Sequence, residues 1–337
     1  MKNYFLFLLG CFGCLSLSVQ AQENMHPAPP QNETIALTNC TIHTGTGQVI
    51  ENGILVFKDG KIVSVGTNAS PTAARVIDLK GKQVYPGLVV PATNMGLVEN
   101  GAVRSTFDFS ELGDMNPNLR SLVAYNTDSK IINTLRSNGI LLANIVPQGG
   151  TISGTSSVVQ LDAWNWEDAT VRADEGVHLN WPALRTFGGF ESGNPEVKKN
   201  EQYDKDVQAL RRYFDEARAY AQQATPEVKN PRFEAMRGLF DQRQTLYIHT
   251  DLARTIQEAV LFAEAYGLRT VVVGANDAWL TADFLKAHNT GVILGRTQRL
   301  PSRDDEDVDQ PYKTAATLQE KGVLFAFSDE GAWKQRN

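Results

Sequence analysis

From Tyr85 onward the sequence keeps returning to one unit: an apolar run of strand length, a polar break, then an amphipathic stretch of helical length. Apolar runs fall at Val84–Pro91, Ile140–Pro147, Ser157–Leu161, Gly176–Trp181, Leu246–Thr250, Thr270–Ala275, Gly291–Leu294 and Val323–Ser328. Helical periodicity is clearest at Asp204–Gln223, where Val207, Leu210, Phe214, Ala217 and Ala221 share a face. It recurs at Leu252–Tyr266, with Ile256, Ala259, Val260 and Ala263 apolar and Gly267 as the stop. Apolar strands alternating with amphipathic helices predict a parallel sheet covered by helices. About eight such units close a barrel, so residues 84–337 read as an α/β fold, a (β/α)8 TIM-like barrel.

A different pattern precedes the barrel. Residues 33–83 are dense in short strand signals, and ILVFK and KIVSVG flank Asp59-Gly60, a strong hairpin turn, so a small β-sandwich module is expected there. Residues 22–32 are Pro-rich and polar and read as a flexible leader with a solvated His26. Residues 1–21 read as a secretory signal: Lys2, a largely apolar Tyr4–Val19, and Val19-Gln20-Ala21 as a small-x-small cleavage site. The expected location is the periplasm, with a lipid anchor on Cys11 as the alternative. Cleavage after Ala21 leaves Cys40 alone, so no internal disulfide forms and Cys40 is expected to be buried and inert. The net charge of -6 speaks against a nucleic-acid partner or a polybasic membrane surface.

The stretch Gly81–Asn100, GKQVYPGLVVPATNMGLVEN, resembles the first barrel strand of the amidohydrolase superfamily. There PGL(I/V)DxHxH ends in two metal-binding histidines; here Ala92 and Asn94 occupy those positions. DGKIVSVG followed by VIDLKGKQVYPGL is similar to the half-sandwich that precedes that barrel. GLVEN, NPNLRSLVAYNTDSKIINTLRSNGI and VPQGGTISGTSSVVQLDAW resemble an exported, imidazolonepropionase-like branch, in some of whose members the same two histidines are replaced.

The resemblance implies a site at the C-terminal mouth of the barrel, with one or two divalent metals activating water. Its ligands would be two histidines after strand 1, a Lys or Glu after strand 4, a histidine each after strands 5 and 6, and an aspartate after strand 8. The chain has five histidines, His26, His43, His178, His249 and His288. The first two precede the barrel and His288 falls on the helix after strand 6. Position by position, TLYIHTD keeps His249 at strand 5 and VLFAFSDEG keeps Asp329 at strand 8. VVVGANDAW offers Gly274, Ala275 and Asn276 where the strand 6 ligand would be, and GVHLNWP has no Lys or Glu, its His178 reading as a satisfied core residue. The implied metal site is therefore depleted: His249 and Asp329 holding one zinc, manganese or iron ion, or none, with His249 bonded to Asp329 in the metal-free case. Asn94, Glu99, Asp251 and Asn276 could add oxygen ligands.

The implied function is hydrolysis of C–N bonds in small cyclic amides or dipeptide-like substrates. Asp329 would be the general base, His249 a ligand or electrophile, and Asn94 and Asn276 would orient substrate. The loop at Gly149 and Gly150 presents backbone N–H groups to an anionic substrate or is a tight turn. The alternative is a non-catalytic barrel that binds a small molecule or pairs with an active amidohydrolase; a homo-oligomer is also open. Family members continue past strand 8 with a helix and further sandwich strands, so an end at Asn337 reads as a truncation.

Overall fold

The computed structural model describes residues 26–70, 75–188, 196–301, 303 and 305–328. The expected signal segment and Asp329 lie outside these. Among the described residues no helix is long and apolar enough to cross a membrane.

The N-terminal sheet comprises β1 (Ile35–His43), β2 (Val49–Lys58), β3 (Lys61–Gly66), β4 (Arg75–Asp78) and β5 (Gln83–Val84). Its order is β3-β2-β1-β4, with β5 also paired to β1. Asp59 and Gly60 turn the β2–β3 hairpin at φ 51° and 69°, as that dipeptide favours. Cys40 is buried and its thiol donates to the Gly53 carbonyl at 3.3 Å, while burial pushes its pKa up. In the leader, the Ala28 N–H donates to Asp162 Oδ2 at 3.2 Å and the His26 ring meets the edge of Trp164.

The chain then runs through β6 (Leu88–Thr93), α1 (Lys130–Ser137), β7 (Ile140–Ile145), β8 (Ile152–Gln160), α2 (Trp166–Ala169) and β9 (Thr170–Asn180). A small ribbon, β10 (Arg185–Gly188) and β11 (Glu196–Lys199), leads into α3 (Tyr203–Ala221) and α4 (Pro231–Phe240). There follow β12 (Thr245–Thr250), α5 (Ala253–Ala265), β13 (Thr270–Gly274), α6 (Ala282–Ala287), β14 (Gly291–Leu294), α7 (Gln310–Glu320) and β15 (Phe325–Phe327). These strands form an 8-stranded sheet in the order β15-β14-β13-β12-β9-β8-β7-β6. It curls until its two ends meet, where the Ser328 hydroxyl donates to the Ala92 carbonyl.

The expected barrel is thus present, with one departure. β8 runs antiparallel to both β7 and β9. Residues 146–151 alone join β7 to β8, too few for the crossover of about a dozen residues that a parallel neighbour requires. β8 also starts earlier than its apolar run suggests, at Ile152, because Ser153, Thr155, Ser156 and Ser157 are buried polar residues.

The core lies between sheet and helices. Leu210 and Phe214 of α3 and Phe262 of α5 pack on Val177, Leu179, Leu246 and Ile248, which are fully buried. Since alternate residues of a strand face opposite sides, His178, Asn180, Tyr247 and His249 face the barrel interior.

Candidate active site

At the C-terminal ends of the strands lies a cleft of about 790 Å³, within the range usual for small-molecule sites, roughly 300–1,000 Å³. Its lining includes Asn180, His249, Asp251, Asn276, Arg296 and Ser328.

β9 and β12 pair in parallel, with His178 opposite Tyr247 and Asn180 opposite His249. Gly176 has no side chain, and the Tyr247 ring lies in the space: a Cβ there would be 2.4 Å from its Cε2. The Tyr247 hydroxyl donates to Glu175 Oε1 at 3.0 Å, and burial followed by the Glu175 charge pushes its pKa up. On that ring the His178 imidazole stacks almost parallel, 8° between planes and 4.7 Å between centroids. His178 Nδ1 faces His249 Nε2 at 2.9 Å. His178 is fully buried, and its Nε2 has no hydrogen-bond partner. Burial, then the His249 ring, hold His178 well below the ordinary imidazole range, so it is neutral. His178 is thus a core histidine as expected, but its ring is satisfied at Nδ1 only.

Beside His249, Asn180 Nδ2 donates to the Gly150 carbonyl at 2.7 Å and to Ser153 Oγ at 3.0 Å. After β13 the backbone turns sharply through Gly274 (φ 90°) and Ala275 (φ 50°). The φ of 90° at Gly274 is one that L side chains rarely adopt, and a Cβ there would also press on Asp251 Oδ1 at 2.8 Å, so glycine is favoured. This turn brings the Asn276 N–H to Asp251 Oδ1 at 3.4 Å.

Of the residues singled out from the sequence, His249 and Asn276 line the cleft, while Asn94, Gly149 and Gly150 are not among its lining residues. The N–H groups of Thr151 and Ile152 both donate to the Asp114 carbonyl, and the Gly150 carbonyl serves Asn180. These bonds tie the glycine loop to the segment at Asp114 and to Asn180. Asn180 was missed; the alternation that places His178 inward also places Asn180 inward, two residues nearer the mouth.

A larger recess of about 970 Å³ opens at the other end of the strands, between α4 and β9. Its carboxylates Asp174 and Glu234 are paired with Arg120 and Arg237, each at 2.9 Å, and no imidazole lines it. The mouth is the chemically equipped end.

No protein-family model matches the chain. It is 26% identical over 301 residues to a 5'-deoxyadenosine deaminase of Methanosarcina barkeri (strain Fusaro / DSM 804), covering 86% of this chain and 66% of that protein. It is 26% identical over 278 residues to a 5-methylthioadenosine/S-adenosylhomocysteine deaminase of Bacillus cereus (strain 03BB102), covering 77% and 59%. The chain therefore spans less than two thirds of the length of either relative. Among solved structures, an amidohydrolase from Thermotoga maritima MSB8 superposes with a TM-score of 0.72 at 20% identity, over 87% of this chain and 78% of that one. The barrel with its preceding β-module has the fold of the amidohydrolase from Thermotoga maritima, and together with the two deaminase relatives it supports the amidohydrolase superfamily.

Members of this superfamily usually hold a divalent metal at this mouth, so the donors present must be tested against one. Among the described residues no group of three or more His, Cys, Asp or Glu side chains could hold a metal ion. His249 offers Nε2 to His178 across 2.9 Å, so the two ring nitrogens share a hydrogen and do not converge on a third atom. A catalytic metal takes about three protein ligands, and these described donors do not fit one.

Proposed function

We propose that the chain hydrolyses a C–N bond of a small molecule, either a ring amide or an exocyclic amine on a heterocycle. The observation that carries this reading is the mouth cleft, in which His249, Asp251 and Asn276 converge on a space of about 790 Å³. The relatives named as deaminases support the same bond type. Such a reaction needs three things: polarisation of the carbon under attack, removal of a proton from water, and return of a proton to the leaving nitrogen. In this reading His249 polarises the substrate, and Asp251, which lines the mouth, or Asp329, singled out from the sequence, takes and returns the proton. Asn276 orients the ring. The signal-like residues 1–21 favour a periplasmic substrate.

The test is ammonia release, or ring opening followed by ultraviolet absorbance, over a panel of aminopurine nucleosides, cyclic amides and dipeptides. His249→Gln is expected to lower kcat by about a hundredfold or more, with Asp251→Asn as a second variant. Turnover undiminished in His249→Gln would overturn the assignment of the site.

A further inference from the structure

The interior pair His178–His249 shares one hydrogen, and its direction can be worked out. If His249 donated from Nε2, His178 would accept at Nδ1 and carry its own hydrogen on Nε2. That N–H would be buried with no acceptor, since Nε2 has no partner. The aromatic face of Tyr247 cannot serve, because the two rings are nearly parallel and an imidazole N–H points along its own plane. Buried N–H groups without an acceptor are rarer than buried acceptors without a donor. The other direction leaves only a bare nitrogen unpaired on His178, so His178 donates Nδ1–H and His249 accepts at Nε2.

We propose that the Nδ1–H of His178 takes, toward His249, the place that the superfamily gives to a metal ion. The disagreement between the described donors and a divalent metal is then a property of the site: His178 is a positioning residue that fixes His249 as the tautomer protonated at Nδ1. His249 cannot offer Nε2 to a metal, and toward substrate it is a hydrogen-bond donor, not a base. Three features hold the pair: Gly176 admits the Tyr247 ring, Glu175 anchors its hydroxyl, and the ring carries His178 at the height of His249. The donor role toward substrate rests on the proposed C–N hydrolysis; the tautomer and the exclusion of metal from Nε2 do not.

The experiment is a long-range proton–nitrogen NMR correlation on the full chain labelled at histidine nitrogens, at neutral pH, without and with one equivalent of zinc. The expected spectrum has a slowly exchanging His178 Nδ1–H, and His249 protonated at Nδ1 with a bare Nε2, both unchanged by zinc. Protonation of His249 at Nε2 would overturn the tautomer assignment, and a stoichiometric zinc-induced shift of His249 Nε2 would overturn the replacement of the metal. His178→Phe keeps the stacking and most of the volume but removes the donor, so His249 should convert to the Nε2–H tautomer. A folded His178→Phe whose His249 tautomer is unchanged would refute the positioning role. Should that variant fail to fold, the wild-type spectra decide the matter alone. A failure to find C–N hydrolysis would sink the proposed function and leave these spectra unaffected.

Discussion

Substituting Gly176 by alanine probes the platform on which the site is built. The added Cβ would lie 2.4 Å and 2.6 Å from Tyr247 Cε2 and Cδ2, and 2.7 Å from the Thr245 carbonyl oxygen. None of these can give way cheaply. The ring is pinned by the His178 stack and by its hydroxyl on Glu175, and Thr245 belongs to the β9–β12 ladder. Overpacking a core typically destabilises by about 1–3 kcal/mol. Alanine recovers roughly 0.5–1 kcal/mol because glycine loses more freedom in a strand. The net expectation is a loss of about 1–2 kcal/mol, read as a lower urea midpoint with an unchanged slope. Tyr247→Leu removes the ring and should relieve most of the clash, giving a coupling of about 1 kcal/mol in the double-mutant cycle. A Gly176→Ala protein as stable as wild type, or a cycle with no coupling, would refute the account of Gly176 as the seat of the Tyr247 ring.

Two further predictions concern the shell around the mouth. Asp277 is 3% exposed; its Oδ2 accepts from the Ala253 N–H that opens α5, and its Oδ1 pairs with Arg303 at 2.9 Å. Asp277→Ala should destabilise by about 2 kcal/mol and Asp277→Asn, which keeps an acceptor for the helix end, by about half as much in urea unfolding; equal losses would show that the helix-end bond contributes nothing. Tyr203 is pushed up to about 12, first by burial and then by its bond to Glu258. Because the folded pKa lies above that of a free phenol, about 10, the stability it contributes is complete below pH about 10 and is lost as pH rises towards 12. That pH-dependent loss is absent in Tyr203→Phe, so stability measured by urea unfolding should fall less steeply between pH about 10 and 12 than in wild type, and an equal fall would contradict the assignment.

What could be read from the sequence is what local rules determine. Each apolar run overlaps a barrel strand, Asp59-Gly60 turns its hairpin, and the two strongest helical periodicities became α3 and α5, because period and turn chemistry act over a few residues. The reversal of β8 was half-written: Gly149 and Gly150 marked a turn, yet only the closed sheet showed that residues 146–151 leave no room for a crossover. The site was legible where it depended on a single strand end, as at His249, and lost where it depended on register. His178 has its partners on β12, 69 and 71 residues further along the chain at Tyr247 and His249, and a one-residue slip of β9 against β12 would exchange them for Leu246 and Ile248. No property of GVHLN alone contains that pairing, so the strand composition was settled by the sequence and the identity of the buried imidazole's neighbour only by the tertiary structure.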